Sequence, residues 1–248
     1  MNAIQRILSV TALLMVMATA SFAEDAEPLP AGMISLQSPE GVRLLETSGA
    51  RANFYALIQH LTTQQRPTYC GVASAVTILN TVRPSDTPVS DSLNGKFAWF
   101  DQVNFFSKAV EQVIPQTEVQ KHGFSLDQWA AAISTYDVKI EKWHCGEAAG
   151  EADYAAFLAK AKDALASTNQ YLVVNFLRKS LGQTGRTGHF SPVGAYNEKE
   201  NKFLVLDVAQ FKYPAFWVDA KLLWEAMNTG DSISAKHRGF VIITANPQ

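Results

Sequence analysis

Gln64-Gln65-Arg66-Pro67-Thr68-Tyr69-Cys70-Gly71-Val72-Ala73-Ser74 sets a cysteine where a loop turns into a helix. Val72, Ala73, Val76 and Leu79 fall on one helical face, and the pattern runs to about Val82 before Pro84 and Pro88 stop it. A cysteine in a first helical turn meets unpaired N–H groups and the positive end of the macrodipole. Both favour the thiolate and draw a thiol pKa of about 8.5 toward neutrality. Cys70 is thus a candidate nucleophile, and a small buried core thiol is the competing reading.

The 248 residues carry 18% charged and 10% aromatic side chains, which suits an ordinary globular protein with a real core. Residues 1–23 read separately, as a signal peptide. Arg6 opens them, an apolar run covers 7–20, and Ser21-Phe22-Ala23 offers small residues at both positions a signal peptidase reads. That run is short of the roughly 18 residues a membrane span needs, and no cysteine follows to carry a lipid. The expectation is an exported chain, periplasmic or secreted, with no membrane attachment once the leader is cleaved. In an oxidising compartment a Cys70–Cys145 disulfide competes with a free thiol, and the surroundings of Cys70 favour the free thiol. Without Arg6 the chain holds 20 basic against 23 acidic residues and has no basic block, so nucleic acid is not an expected partner.

Residues 24–44, with Pro28, Pro30, Gly32 and Pro39, read as an irregular lead-in that wraps the domain, and 45–248 as one catalytic domain. Helices are expected at 51–61, 70–82, 102–113 and 151–167, and another where Ser125-Leu126-Asp127-Gln128 forms a capping box. Strands are expected at 138–142, 171–177, 189–196, 203–208 and 239–244. Helices come first and strands later, which predicts an α+β fold: a helical lobe packed against an antiparallel sheet. The glycine-rich stretch 182–188 reads as a mobile loop.

A thiolate that attacks a carbonyl needs a base and a group to orient that base. His189 begins one predicted strand, Asp207 nearly ends the next, and 197–201 forms the reversal. Pairing Ala195 with Asn201 places Val193 against Phe203, Ser191 against Val205 and His189 against Asp207. Directly opposed residues hold their Cβ atoms about 4.5–5.5 Å apart, within reach of an imidazole–carboxylate bond. A slip of one residue would put the two on opposite faces. The oxyanion needs donors, met by the Cys70 N–H and a side-chain amide, either Gln64 or Gln65.

A glutamine six residues before a helix-capping cysteine, then a histidine, then an acid, resembles the papain-like cysteine peptidases. The stretches 69–74, 188–196 and 206–214, with Asn104-Phe105-Phe106 and Arg238-Gly239-Phe240, narrow the match to the catalytic domain of phytochelatin synthases, in a short form of the bacterial kind. The resemblance covers roughly residues 45–245. It implies a papain-like fold with Cys70 as nucleophile, His189 as acid/base, Asp207 as orienting carboxylate and Gln64 as oxyanion donor. The implied reaction removes glycine from glutathione through a γ-Glu-Cys thioester and passes that unit to water or to another glutathione. No cofactor is required on this reading, with metal ions entering as activators or as complexes of the glutathione thiolate. Glutathione and γ-Glu-Cys peptides are the expected partners, and pairing with a second copy stays open.

Two departures stand out. The second, cysteine-rich region of plant members is not expected here, because the chain closes soon after Phe240. Gln210 stands where the family usually has an arginine, and an amide cannot clamp a carboxylate with charge. Hydrolysis is therefore expected to exceed peptide synthesis. Glutathione carries two carboxylates, so cations are expected in the cleft: Arg238 and Lys212 within the motifs, then Arg178, Lys179 and Arg186, with Gly188 lining the substrate. His144-Cys145 is a poor zinc pair, and no metal site is expected. His60, His122 and His237 read as surface or satisfied residues, and the five tryptophans as core or cleft wall. A papain-like processing peptidase and a non-catalytic exported thiol- or metal-binding protein are the alternatives.

Overall fold

The computed structural model describes residues 26–89, 97–146, 151–185 and 187–246. The leader expected over 1–23 and the candidate cation Arg186 fall outside them. Among the described residues, no helix is long and apolar enough to cross a membrane.

One antiparallel sheet is built from β1 (Ile34–Ser35), β2 (Val138–His144), β3 (Gln170–Leu177), β4 (Gly188–Asn197), β5 (Lys202–Val205), β6 (Phe216–Asp219) and β9 (Gly239–Ala245). Their order in space is β1-β6-β5-β4-β3-β9-β2, and β7 (Gly230–Asp231) with β8 (Lys236–His237) makes a separate ribbon. β3 and β4 are buried almost throughout because both faces of the sheet are covered. On one face lie α1 (Pro39–Glu46), α2 (Phe54–His60), α3 (Cys70–Val82), α4 (Lys108–Val113), α5 (Gln116–His122) and α6 (Leu126–Ile133); their core joins Leu57, Val76 and Trp129 to Val173, Phe190, Ala195 and Leu204. On the other lie α7 (Glu151–Ala166) and α8 (Ala220–Met227), where Phe157, Leu165 and Trp224 meet Leu172, Val174, Val193 and Val205. The α+β fold and the helical lobe agree with the expectation. The second helical layer was not anticipated.

Several local readings are corrected. The lead-in is not wholly irregular: Ser38 caps α1 by accepting from Gly41 N, and Pro39 occupies the first turn, where its missing N–H costs nothing. The helix expected over 102–113 shrinks to α4, because Asp101 Oδ1 accepts from the N–H groups of Val103 and Asn104 and holds that stretch in a turn. α5, β6 and α8 were not foreseen. The Ser125 capping box forms as expected, with Ser125 Oγ accepting from Gln128 N and Gln128 Oε1 accepting from Ser125 N. The stretch after Leu181 is tied down: Gln183 Oε1 accepts from Arg178, and Thr184 N donates to Tyr213 Oη.

The hairpin that decides the site is built differently from its expected register. Next to the turn, Asn197 pairs with Lys202 and Ala195 with Leu204. A bulge at Gly194 then shifts the ladder, so that Val193 pairs with Val205 and Leu206 N donates to Pro192 O. Asp207 thus lies across from Ser191 instead of His189. Beyond the bulge the slip is two residues, which preserves the shared face; without the bulge it would be odd and would divide them. Gly194 suits this place because a Cβ there would stand 3.0 Å from the Phe54 ring and 3.2 Å from Leu206.

Candidate active site

Cys70 is the first residue of α3, a helix buried along almost its whole length. A burial so complete fixes where the helix begins, since each fully buried valine or leucine contributes about 1.5–3 kcal/mol. Gly71 lets the first turn pass under two rings: a Cβ there would stand 2.8 Å from Phe124 and 3.0 Å from Trp129. Trp129 Nε1 donates to Gly71 O at 2.8 Å, and the same indole stacks on Phe190 at 5.5 Å. One side chain of α6 therefore braces the start of α3 against the strand that carries His189. The preceding loop is held by α5: Tyr69 Oη accepts from Gln116 and Gln120, and Thr68 Oγ1 donates to Gln120 O.

His189 stands near enough to Cys70 for its charge to act on the thiol, and both cysteines are free, so the disulfide alternative is not realised. His189 Nε2 lies 2.9 Å from Asp207 Oδ1, which leaves Nδ1 as the ring nitrogen for sulfur. Nε2 also lies 3.0 Å from Ser191 Oγ and 2.9 Å from Arg178 Nη2. It carries one proton, which goes to the carboxylate: Arg178 offers only donors, and the Ser191 hydroxyl is the weaker acceptor. Asp207 is wholly buried and accepts in addition from Ala209 N at 2.8 Å. Burial pushes the Cys70 thiol up, but the His189 imidazole, the Phe190 backbone and Arg178 together bring it below its ordinary value. Burial pulls His189 down and Arg178 does likewise, yet Asp207 and Cys70 raise it overall. Burial opposes the Asp207 carboxylate, and His189 and Arg178 outweigh it, holding the group far below the usual carboxylate range. Both shifts favour a thiolate–imidazolium pair.

Beside Cys70 opens a cleft of about 240 Å³, lined by Thr68, His122, Phe124, Asn175, Gly188, Phe190, Asp231 and Arg238 among others. Arg238 Nη1 donates to Thr229 O, Thr229 Oγ1 and Gly230 O, and its Nε is buried without a partner. Asn175 Oδ1 is likewise buried and unpartnered. Gly188 leaves the guanidinium its room, since a Cβ there would stand 2.6 Å from Arg238 Nε. An anion, an unpartnered acceptor and an unpartnered donor on a cation thus share one wall, a set that fits an α-amino-acid head group.

The structure brings Cys70, His189, Asp207, Gly188 and Arg238 together. Others are placed differently. Arg178 is no cleft cation: the residue is 5% exposed, and its guanidinium grips both oxygens of Asp207 at 2.9 Å. Lys212 pairs with Glu27 at 3.5 Å, away from the cleft lining, and Lys179 is exposed to solvent. Gln64 is the buried one of the two glutamines, yet its Nε2 donates to Arg66 O and Pro67 O and leaves Oε1 unpartnered. His122, read as a surface or satisfied residue, is exposed and also lines the cleft. Among the described residues no three His, Cys, Asp or Glu side chains are gathered for a metal. Asn175, Ser191 and Asp231 escaped the sequence reading. A polar residue inside an otherwise apolar strand, as Asn175 is, was the available signal.

A family model for phytochelatin synthase matches residues 25–240. The chain is 34% identical over 231 residues to glutathione gamma-glutamylcysteinyltransferase 1 of Arabidopsis thaliana, covering 92% of this chain and 45% of that protein. It is 31% identical over 195 residues to the glutathione gamma-glutamylcysteinyltransferase of Schizosaccharomyces pombe, covering 79% and 44%. With type 3 of Lotus japonicus the identity is 30% over 231 residues, covering 92% and 45%. The chain thus spans less than half the length of these relatives. On the extent of the family match and these identities, the chain belongs to the phytochelatin synthase family.

Proposed function

We propose that the protein is a cysteine-dependent acyl transferase acting on glutathione, a reading carried by the Cys70–His189–Asp207 alignment at the edge of the cleft. The Cys70 thiolate attacks the carbonyl carbon of the Cys–Gly amide. The oxyanion takes bonds from the first-turn N–H groups of α3 and from Gln64 Nε2 once that amide turns from its loop carbonyls. As the tetrahedral centre collapses, the His189 imidazolium gives its proton to the departing glycine nitrogen. A γ-Glu-Cys thioester on Cys70 remains. Water, or the α-amine of a second glutathione, then attacks the thioester carbonyl, His189 accepts the nucleophile's proton, and the thiolate is released.

The γ-glutamyl head group supports the assignment of the wall. Its α-ammonium would face Asp231 and Asn175 Oδ1, and its α-carboxylate Arg238 Nε. Hydrolysis is the larger share on this reading, because Gln210, exposed three residues after Asp207, supplies no charge for an acceptor carboxylate. Metal enters as a complex of the substrate thiolate, and the leader-like residues 1–23 carry the export reading.

Brief exposure to glutathione followed by intact-protein mass spectrometry should show a γ-Glu-Cys adduct on Cys70 and an equivalent of free glycine. Cys70→Ala should yield neither while keeping its fold. Glycine release by Cys70→Ala, or faster cleavage of a double-glycine peptide than of glutathione by the wild-type protein, would end this reading.

A further inference from the structure

Arg178 spends its guanidinium on the Asp207 carboxylate. Nη1 donates to Oδ2 and Nη2 to Oδ1, both at 2.9 Å, and Nη1 also donates to Gln183 Oε1 at 2.7 Å. The guanidinium carbon stands 5.3 Å from the centre of the Tyr213 ring, whose hydroxyl donates to Glu27 at 2.6 Å. This is a built socket. The short 3₁₀ turn Arg178–Leu181 follows β3 directly, so the cation is delivered by the strand paired with the one that holds His189.

We propose that Arg178 is a positioning residue that fixes the Asp207 carboxylate for His189 and cancels most of its charge, so that the imidazole can both hold a proton beside the Cys70 sulfur and surrender it. This inference rests on the acyl-transfer reading. Its physical basis is charge balance in a closed space. A buried carboxylate with no counter-cation would lock the proton on His189, since an unscreened opposite charge within about 4–6 Å favours the charged form by 1–3 pH units. A locked imidazolium cannot protonate the leaving amine. With Arg178 present, the guanidinium and carboxylate together carry no net charge, and Asp207 orients the ring chiefly by its hydrogen bond. The ionisable groups around the pair are Cys70 from α3, His189 from β4, Arg178 and Asp207, with Tyr213, Glu27 and Lys212 behind the guanidinium and Asp231 and Arg238 across the cleft.

Arg178→Gln keeps an N–H donor for Asp207 and removes the charge; Arg178→Lys keeps the charge and loses the two-point grip. The readout needs no glutathione: the rate at which iodoacetate alkylates Cys70, followed by mass spectrometry across pH. This anion reacts with a thiolate whose neighbouring imidazolium is still charged, so the profile is a bell. Removing a nearby cation disfavours the thiolate and favours the imidazolium. Both limbs should therefore move to higher pH by about one unit or more in Arg178→Gln, with the rate on the acid limb falling about tenfold. Arg178→Lys should keep the bell within about half a unit of wild type, while glycine release falls roughly tenfold or more for want of orientation. An unmoved bell in Arg178→Gln overturns the proposal, as does a full-unit shift in Arg178→Lys, which decides the matter even if the glutamine variant does not fold. If glutathione yields no glycine yet the bell moves as stated, the substrate reading fails and the role of Arg178 stands. If glycine is released and the bell stays put, the role of Arg178 alone fails.

Discussion

Gly188→Ala tests the cleft wall without touching the groups proposed to react. An added Cβ would stand 2.6 Å from Arg238 Nε and 3.3 Å from Nη2, so the guanidinium must retreat by roughly 1 Å to reach ordinary contact. It is poorly placed to do so. Arg238 is only 6% exposed, and its bonds to the Thr229 and Gly230 carbonyls hold the far side of the group in place. The Nε assigned to the α-carboxylate of glutathione would be covered or turned away. Losing one charge-assisted hydrogen bond costs about 1.5–3 kcal/mol, which corresponds to roughly a 10- to 150-fold drop in kcat/KM. Glycine release measured over a range of glutathione concentrations gives kcat/KM. Alkylation of Cys70 by iodoacetamide, expected within about twofold of wild type, reports the nucleophile by itself. Wild-type kcat/KM in Gly188→Ala would refute the assignment of this wall. An equal fall in alkylation would refute it too, by placing the damage at the sulfur.

Two further outcomes follow from the same geometry. Asp207 makes stability depend on acid: its folded-state pKa is depressed, so as pH falls the unfolded chain takes up the proton first, and the stabilisation present above about pH 4 drains away below it. Urea midpoints at pH 6 and pH 3 should therefore differ less in Asp207→Asn than in wild type. That variant should also lose about 3–5 kcal/mol at pH 6 because Arg178 is left buried and unpaired; equal midpoint shifts in both proteins would contradict this. The two cysteines should separate by reactivity at neutral pH. Burial and Asp153 push the Cys145 thiol up to about 12, whereas Cys70 sits below its ordinary value. Peptide mapping after limited iodoacetamide treatment should find label on Cys70 and almost none on Cys145, and preferential labelling of Cys145 would reverse the reading of both sites.

Local patterns settled much of this protein before any tertiary contact was known. A helical run begins at Cys70, Ser125 and Gln128 form a capping box, and strands run near 171–177, 189–196 and 239–244 because these signals lie within a few residues of one another. The motifs around Cys70, His189 and Asp207 were likewise legible, as was the α+β segregation. Other features depend on groups far apart in the chain. The Gly194 bulge restores the face shared by His189 and Asp207, and no composition rule foretells where one strand takes an extra residue. Arg178 reads as a cation of the substrate cleft until β3 and the segment after β5 bring it against a carboxylate 29 residues away. Asn175, Asp231 and Arg238 become one wall only through the packing of β3, β7 and the link between β8 and β9. Sequence determines which side chains carry charge and how the nearby backbone bends; tertiary structure decides which charges are hidden together, and burial is what converts their proximity into chemistry.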